Sequence, residues 1–550
     1  MKNSERRLKS LLLLPLLAGA FALSACGEEE VEDGGTASIG GPDPRELVPA
    51  DAPVYFEAVV DPDSDQAEDL NAAVERVSGV EDAVGMIEAE IESGLEAEGT
   101  EISYGEDIEP LLGNRAGFFI SDFPEGFSAD GEELEFNGAA VIATTDPEAA
   151  LELIKSAITD SGKSFEDVSY GDVDYIVDPE ESSEQRGAAG IIGDFVVLGT
   201  EPALQGVVDA QDGENLAGDE AASGDLDALD ASSLLSGRFD FGSLFEAATS
   251  SEDITPEQLE AIEAYFDGPV EGSGTFAVGA GEDSFSAEFS APASLQPGYA
   301  AGSESIESLP ADAWLAFAAT DVGAALSNAF SQFEDAISVQ GLDGAELSPD
   351  AIEDQLGLDP GQDLGWIGDV RGFVAGESFL GLGAGLAIEA TDEAAATEAL
   401  KAVARAFRGQ ALVEPIDGGF RFSPEGAPVS ASLVLREGQL ILAAGAVDEE
   451  DVLNPAETLA DSDSFNDAVG ALGEDYATSF FVDLETIQSL AESVGDISAD
   501  PSLGIAIQYL ANLDYFIVGS QADEETITAK IRLGLRDGSS SDAESAAITP

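Results

Sequence analysis

Two stretches of this chain repeat each other at a distance of 261 residues, and few folds accommodate such a repeat. Val48-Pro49-Ala50-Asp51-Ala52 leads into a strand-like run at 54–60, and Leu309-Pro310-Ala311-Asp312-Ala313 leads into Trp314-Leu315-Ala316-Phe317-Ala318-Ala319. An Ala/Val/Leu-rich helical stretch follows each, near 66–96 and 322–338. Next come Asp107-Ile108-Glu109-Pro110-Leu111-Leu112-Gly113 and Asp363-Leu364-Gly365-Trp366-Ile367-Gly368. Both lead to an arginine and a Gly-Phe strand, Arg115-Ala116-Gly117-Phe118-Phe119 and Arg371-Gly372-Phe373-Val374. A further apolar strand ends at Thr145-Asp146-Pro147 in one copy and Thr391-Asp392-Glu393 in the other, where the aspartate is placed to cap a helix.

Each copy closes alike. Gly193-Asp194 joins apolar runs at 188–192 and 195–199, and Glu437-Gly438 joins 431–436 to 439–444, both as two-residue hairpins. Arg238-Phe239-Asp240-Phe241 and Ser479-Phe480-Phe481-Val482-Asp483 each precede a helix. Long strands end the copies, at 273–280 with 285–290 and at 515–520 with 526–535. Strands joined by tight turns pair antiparallel, and helices inserted between them must pack on the sheet. The expected fold is α+β: two homologous halves, each a mainly antiparallel sheet with helices packed on one face. The first half spans 46–290 and the second 306–536, with a linker at 291–305 and a Ser-rich tail at 537–550 expected to be disordered.

The amino terminus carries an address. Lys2, Arg6, Arg7 and Lys9 precede an apolar run at 11–23, too short to span a bilayer. Leu23-Ser24-Ala25-Cys26 follows, and it resembles the lipobox of bacterial lipoproteins. That resemblance implies removal of residues 1–25 as a signal peptide and attachment of lipid to the thiol of Cys26. Residues 26–45 are acidic and Gly-rich and read as a disordered tether. The expected location is the extracytoplasmic face of a cell membrane, which is then a partner through the lipid on Cys26.

Charge narrows the function. The chain has 112 Asp and Glu against 20 Lys and Arg, a net charge of −92 that becomes −95 without residues 1–25. Such a surface repels nucleic-acid phosphates and anionic headgroups, so neither a nucleic acid nor a basic membrane-docking patch is expected. A cationic or protein partner stays open. With 44% hydrophobic residues the chain folds in spite of its charge. It has no histidine and one cysteine, which excludes an internal disulfide and the usual zinc, haem and iron–sulfur sites. Ser-His-Asp and Cys-His catalysis are excluded with them.

Asp61-Pro62-Asp63-Ser64-Asp65 has the alternating acids of a calcium loop. Gln66 stands where the loop needs its glycine and Ala72 where it needs its last carboxylate, so a helix-cap cluster is the plainer reading. Asp461-Ser462-Asp463 is weaker still. Paired acids could serve a carboxylate-based hydrolase, but among 112 acids pairs carry no information. Trp314 and Trp366 fall in core strands or turns, not on a sugar platform. Arg115 and Arg371 are expected to pair with nearby acids, with an anionic ligand between the halves as the alternative. Lys155 and Lys401 recur in register and read as salt-bridge or helix-end groups. Gly381-Leu382-Gly383-Ala384-Gly385 lacks a following helix and reads as close packing of a strand, not a phosphate loop. No catalytic residue, cofactor or metal is expected.

The Pro-Ala-Asp-Ala opening, the Asp-(Ile/Leu)…Leu-Gly turn and the Thr-Asp-Pro-Glu-Ala helix start resemble a bacterial domain of unknown function, numbered thirty-three fifty-two. It occurs in secreted and lipid-anchored proteins, and the resemblance covers about 46–536. It implies an envelope location and carries over no catalytic residues. The expected function is that of a lipid-anchored, non-enzymatic binding or scaffold protein of the bacterial envelope. A ligand-binding or lipid-carrying lipoprotein with its site between the halves is one alternative, and the hydrolase is another.

Overall fold

A computed structural model describes residues 41–536 apart from 81, 99–101, 123–135, 180–185, 230–232, 250–269, 282, 296–302, 328–363, 377, 379–380, 410, 425–428, 474, 494–508 and 523–524. Cys26, most of the tether, much of the linker, the stretch 328–338 and the tail lie outside the described residues. The described residues divide into two compact units, 41–290 and 291–536.

The first unit contains ten strands: β1 (Val54–Val59), β2 (Leu112–Asp122), β3 (Asn137–Thr144), β4 (Glu166–Tyr170), β5 (Val173–Val177), β6 (Gly187–Ile192), β7 (Phe195–Thr200), β8 (Ser233–Asp240), β9 (Ser273–Ala280) and β10 (Ser284–Pro292). All pairings are antiparallel, and they run β10-β9-β8-β1-β2-β3-β7-β6-β5-β4. The second unit has β11 (Ala313–Ala319), β12 (Ile367–Ala375), β13 (Gly383–Ala390), β14 (Ala411–Ile416), β15 (Gly419–Pro424), β16 (Ala431–Arg436), β17 (Gln439–Gly445), β18 (Ala477–Asp483), β19 (Leu513–Ala522) and β20 (Thr526–Leu535). Its order is β20-β19-β18-β11-β12-β13-β17-β16-β15-β14, the same arrangement strand for strand.

Helices wholly within the described residues are α1 (Asp65–Ser78), α2 (Ala83–Glu98), α3 (Pro147–Asp160), α4 (Glu201–Asp212), α5 (Glu220–Asp227), α6 (Phe241–Thr249), α7 (Glu393–Ala406), α8 (Glu449–Leu453), α9 (Asp463–Leu472) and α10 (Leu484–Ser493). Asp146 caps α3 by accepting from the Ala149 amide at 3.0 Å, with Pro147 at the first helical position. Asp392 caps α7 in the same way, through the amides of Ala394 and Ala395. The stretch expected as one helix near 66–96 is two, because Gly79 takes a left-handed φ of 72° and closes α1.

The expectation of helices on a single face is overturned. In β16 and β17, Leu433 and Leu440 belong to a cluster with Ala396, Ala399 and Leu400 of α7. The alternate residues Val434, Ile441 and Ala443 belong to another cluster with Val452 of α8 and Phe465 of α9. Successive strand residues point to opposite faces, so both faces are covered. The first unit does likewise. Ala203, Leu204 and Val207 of α4 share a core with Tyr55, Phe119 and Val141, whereas Ala67 and Leu70 of α1 pack on Ala280, level with Phe276 and Phe56 on the other side. The reason is connectivity: helices follow several different strands, and an apolar two-sided strand is stable only if both sides are covered.

Candidate functional site

A buried polar cluster grows out of β1. Val54-Tyr55-Phe56-Glu57 alternates, so Tyr55 and Glu57 share one face. The register sets Glu57 opposite Gly117 of β2 and Ser236 of β8, and sets Val59 opposite Arg115. Gly117 is needed here: a Cβ on it would stand 2.8 Å from Pro44 and 3.1 Å from the Tyr55 ring. Tyr55 Oη donates to Glu57 Oε2 at 2.5 Å, and Arg115 Nη2 pairs with Glu57 Oε1. Arg115 Nη1 lies 3.6 Å from Asp43, whose carboxylate takes three donations from the Arg45 guanidinium at 2.9–3.1 Å. Arg45 Nη1 donates in turn to Asp227, the last residue of α5, at 2.7 Å.

Burial dominates the electrostatics. Glu57 is 7% exposed and Tyr55 1%. Burial raises the Glu57 carboxyl above its ordinary range, against the opposing pull of Arg115 and the Tyr55 hydroxyl. Burial, then the neighbouring Glu57 charge, pushes the Tyr55 phenol well up. Burial also works against the charge on Arg45, but hydrogen bonds to Asp43 and Asp227 outweigh it and hold that guanidinium above its usual value.

A second cluster in the same unit has the same chemistry. Tyr175 Oη donates to Glu201 Oε1 at 2.8 Å, and Arg186 Nε donates to Glu201 Oε2 at 2.8 Å. Gln205 Nε2 completes it by donating to Tyr175 Oη at 3.0 Å. Glu201 opens α4 behind its cap Thr200, a position that also favours a negative charge. In both clusters each carboxylate oxygen is already engaged by the protein.

Arg115 is ion-paired, as expected. Arg371 is not: its register partners are Ala318 and Ala387, and no ion-pair partner is found for it among the described residues. Eight residues past the shared proline, the first repeat has Glu57 and the second Ala318. No acid stands opposite Arg371 on either neighbouring strand. Burial lowers the Arg371 pKa, and its Nε lacks a hydrogen-bond partner.

The remaining candidates have structural posts. Asp61 Oδ1 accepts from the Asp63 amide at 3.0 Å, and Ser64 caps α1, so this loop is a turn-and-cap cluster. Asp461 closes a capping box with Thr458, and Asp463 opens α9. Among the described residues no group of three or more acidic or sulfur ligands is placed to hold a metal ion. Lys155 pairs with Glu152 at 3.1 Å and Lys401 is exposed. Trp366 is buried and Trp314 forms the bulge of β11. A Cβ on Gly385 would stand 2.4 Å from the Phe373 ring, the close packing expected of that glycine-rich strand. Tyr55, Glu57, Tyr175 and Glu201 carry no sequence motif. One cue is present: an acid within an otherwise apolar strand, two residues from a tyrosine.

The phenols make the fold sensitive to alkali. Burial, then Glu88 and Glu109, push Tyr104 up to about 12, and Tyr55 lies well above its ordinary value. In the unfolded chain both lose their protons near pH 10. Between about pH 10 and 12 the unfolded state therefore binds fewer protons than the folded one, and stability falls as pH rises. Urea unfolding from pH 8 upward should show constant stability to about pH 10 and a decline above it that is shallower in Tyr55→Phe. An unchanged slope in that variant would remove Tyr55 from the account.

Buried Tyr–Glu–Arg pairing within an antiparallel-sheet α+β body marks a protein whose ionisable core groups hold strands together. The chain belongs to the family described as protein of unknown function DUF3352, whose model matches residues 10–528. No curated protein matches the chain. Two solved structures are similar to it. Crystal form I of TP0453 has 12% identity and a TM-score of 0.22, over 46% of this chain and 78% of that one. Crystal form IV of TP0453 has 12% identity and a TM-score of 0.24, over 45% of this chain and 79% of that one. Among the described residues no helix is long and apolar enough to cross a membrane.

Proposed function

We propose that this is a lipid-anchored, extracytoplasmic protein of the bacterial envelope that binds or scaffolds and has no catalytic centre, its body a duplicated ten-strand unit. The observation that carries the reading is the internal pairing of Glu57 and Glu201, each with both carboxylate oxygens bonded within the protein. The identical strand orders support duplication, and the lack of an acid opposite Arg371 supports a shared scaffold over a shared reactive site. Leu23-Ser24-Ala25-Cys26 supports the anchor.

Cys26→Ser tests it. Two acyl chains, at about 0.8 kcal/mol per methylene, should keep the parent in the membrane pellet through a high-salt wash, and the variant should wash off. Equal retention of both after that wash would sink the anchor. A second reading, carriage of an apolar ligand, is favoured by a row of half-buried phenylalanines. Phe56 lies 5.5 Å from Phe239, 5.6 Å from Phe276 and 6.4 Å from Phe118, centroid to centroid. Mass spectrometry of material released from the purified chain separates the two readings, since a stoichiometric lipid beyond that on Cys26 supports carriage.

A further inference from the structure

The net charge hides a local reversal. Five of the 20 Lys and Arg fall within 401–436, namely Lys401, Arg405, Arg408, Arg421 and Arg436, whereas 239–370 contains none. Three of the seven large hydrophobic residues exposed among the described residues fall there too: Phe407 at 44%, Leu412 at 58% and Val429 at 50%.

The fold brings Lys401, Arg405, Arg408 and Phe407 together at the end of α7, whereas Leu412 lies on the other face of the β14–β15 ladder with Ile416, and Arg436 ends β16 near the hairpin turn. Lys401 and Arg405 lie one turn apart on the exposed side of α7, and Arg405 Nε donates to the Lys401 carbonyl at 3.3 Å. Arg408 follows the helix and bridges to Ala411 at the start of β14. Phe407 is held edge-on against Phe422 of β15 at 5.6 Å. Leu412 stands opposite Ser423, on the last strand of the pairing order in this unit. Arg436 lies 3.8 Å from Glu449, and Arg421 faces Glu414 across the hairpin. Lys401, Arg405 and Arg408 have no ion-pair partner among the described residues.

Three occupants fit cations beside apolar side chains, and the end of α7 favours one. An added peptide strand is disfavoured because Pro415 lacks an N–H and Glu414 projects a charge from the edge strand. A second copy would bring another −92 of charge against this one. An anionic bilayer needs only the local potential, because distant acids are screened beyond about 8 Å at physiological ionic strength. We propose that the end of α7 docks on an anionic lipid surface. Lys401, Arg405 and Arg408 meet headgroup phosphates, and Phe407 enters the headgroup boundary.

The contact does not depend on the acyl anchor, so the test uses the full chain carrying Cys26→Ser. Its sedimentation is measured with phosphatidylcholine vesicles, with and without phosphatidylglycerol. Binding is expected only with the anionic lipid and is expected to be lost at high salt. Arg405→Gln with Arg408→Gln should weaken it roughly thirty-fold, and Phe407→Ala should weaken it independently. The leader is common to all these chains and cancels in the comparison. Equal pelleting of parent and double variant overturns the proposal, as does equal binding to phosphatidylcholine alone. A salt-sensitive dimer that the double variant abolishes, without vesicle binding, overturns it in favour of a second copy. None of these outcomes bears on whether Cys26 carries lipid.

Discussion

Arg115→Met is expected to lower the unfolding free energy by about 3–5 kcal/mol, because it strands Glu57 as an unpaired acid in the sheet. Glu57 is 7% exposed and would keep only the Tyr55 hydroxyl. Removing Glu57 along with the arginine should cost far less. A Glu57→Leu, Arg115→Met chain buries two apolar side chains and leaves Asp43 in its fork with Arg45, so most of the loss should return. In the second unit Ala318 stands directly opposite Arg371, whereas Arg115 stands opposite Val59 and reaches Glu57 two residues back on the same face. Denaturant titration of the parent, both single variants and the double variant gives the coupling energy. A loss below about 1 kcal/mol for Arg115→Met would show that water reaches Glu57 and that the cluster is a surface contact.

The strand ladder was legible wherever turn chemistry and apolar alternation agreed. Gly193-Asp194 and Glu437-Gly438 turn as read, the latter with φ of 52° and 78° at its two residues. Two further hairpins, β4–β5 and β14–β15, were not read. Their strands mix exposed acids with apolar residues, and Asp167, Ser169 and Asp174 dilute the apolar signal in the first. Turn residues were present even there, since Gly171 and Gly418 both take positive φ. The side of the sheet that each helix covers was not legible, because alternation in a strand buried on both faces marks neither face as outer.

The polar clusters were less accessible still. Arg115 and Arg371 look alike in sequence, and only the register shows Glu57 near one and Ala318 opposite the other. Local charge is hidden in the opposite way. A net charge of −92 correctly describes the average surface and says nothing about five cations within 36 residues. Whole-chain charge governs long-range repulsion, whereas contact is decided within a Debye length.

Phe465→Ala should cost about 3–5 kcal/mol, on a scale with Arg115→Met but by a different route. The sheet face beneath Phe465 is lined by small residues, Ala316, Ala318, Ala387 and Ala443, all of them in its cluster and no more than 3% exposed. Much of the volume near these alanines comes from rings, and Phe465 meets Phe481 edge to face at 5.1 Å. Strand alanines are fixed by the hydrogen-bonded ladder and cannot move in to fill a hole, so a cavity persists where a ring is removed. Phe465→Leu keeps most of the volume and should cost less than about 1.5 kcal/mol. Phe481→Ala should resemble Phe465→Ala, and the double variant should cost less than their sum because the two rings share one contact. Unfolding free energies from denaturant titration decide between these outcomes. Should Phe465→Ala cost under about 1 kcal/mol, the alanine-lined face must collapse onto α9, and the sheet is more pliable than its ladder implies.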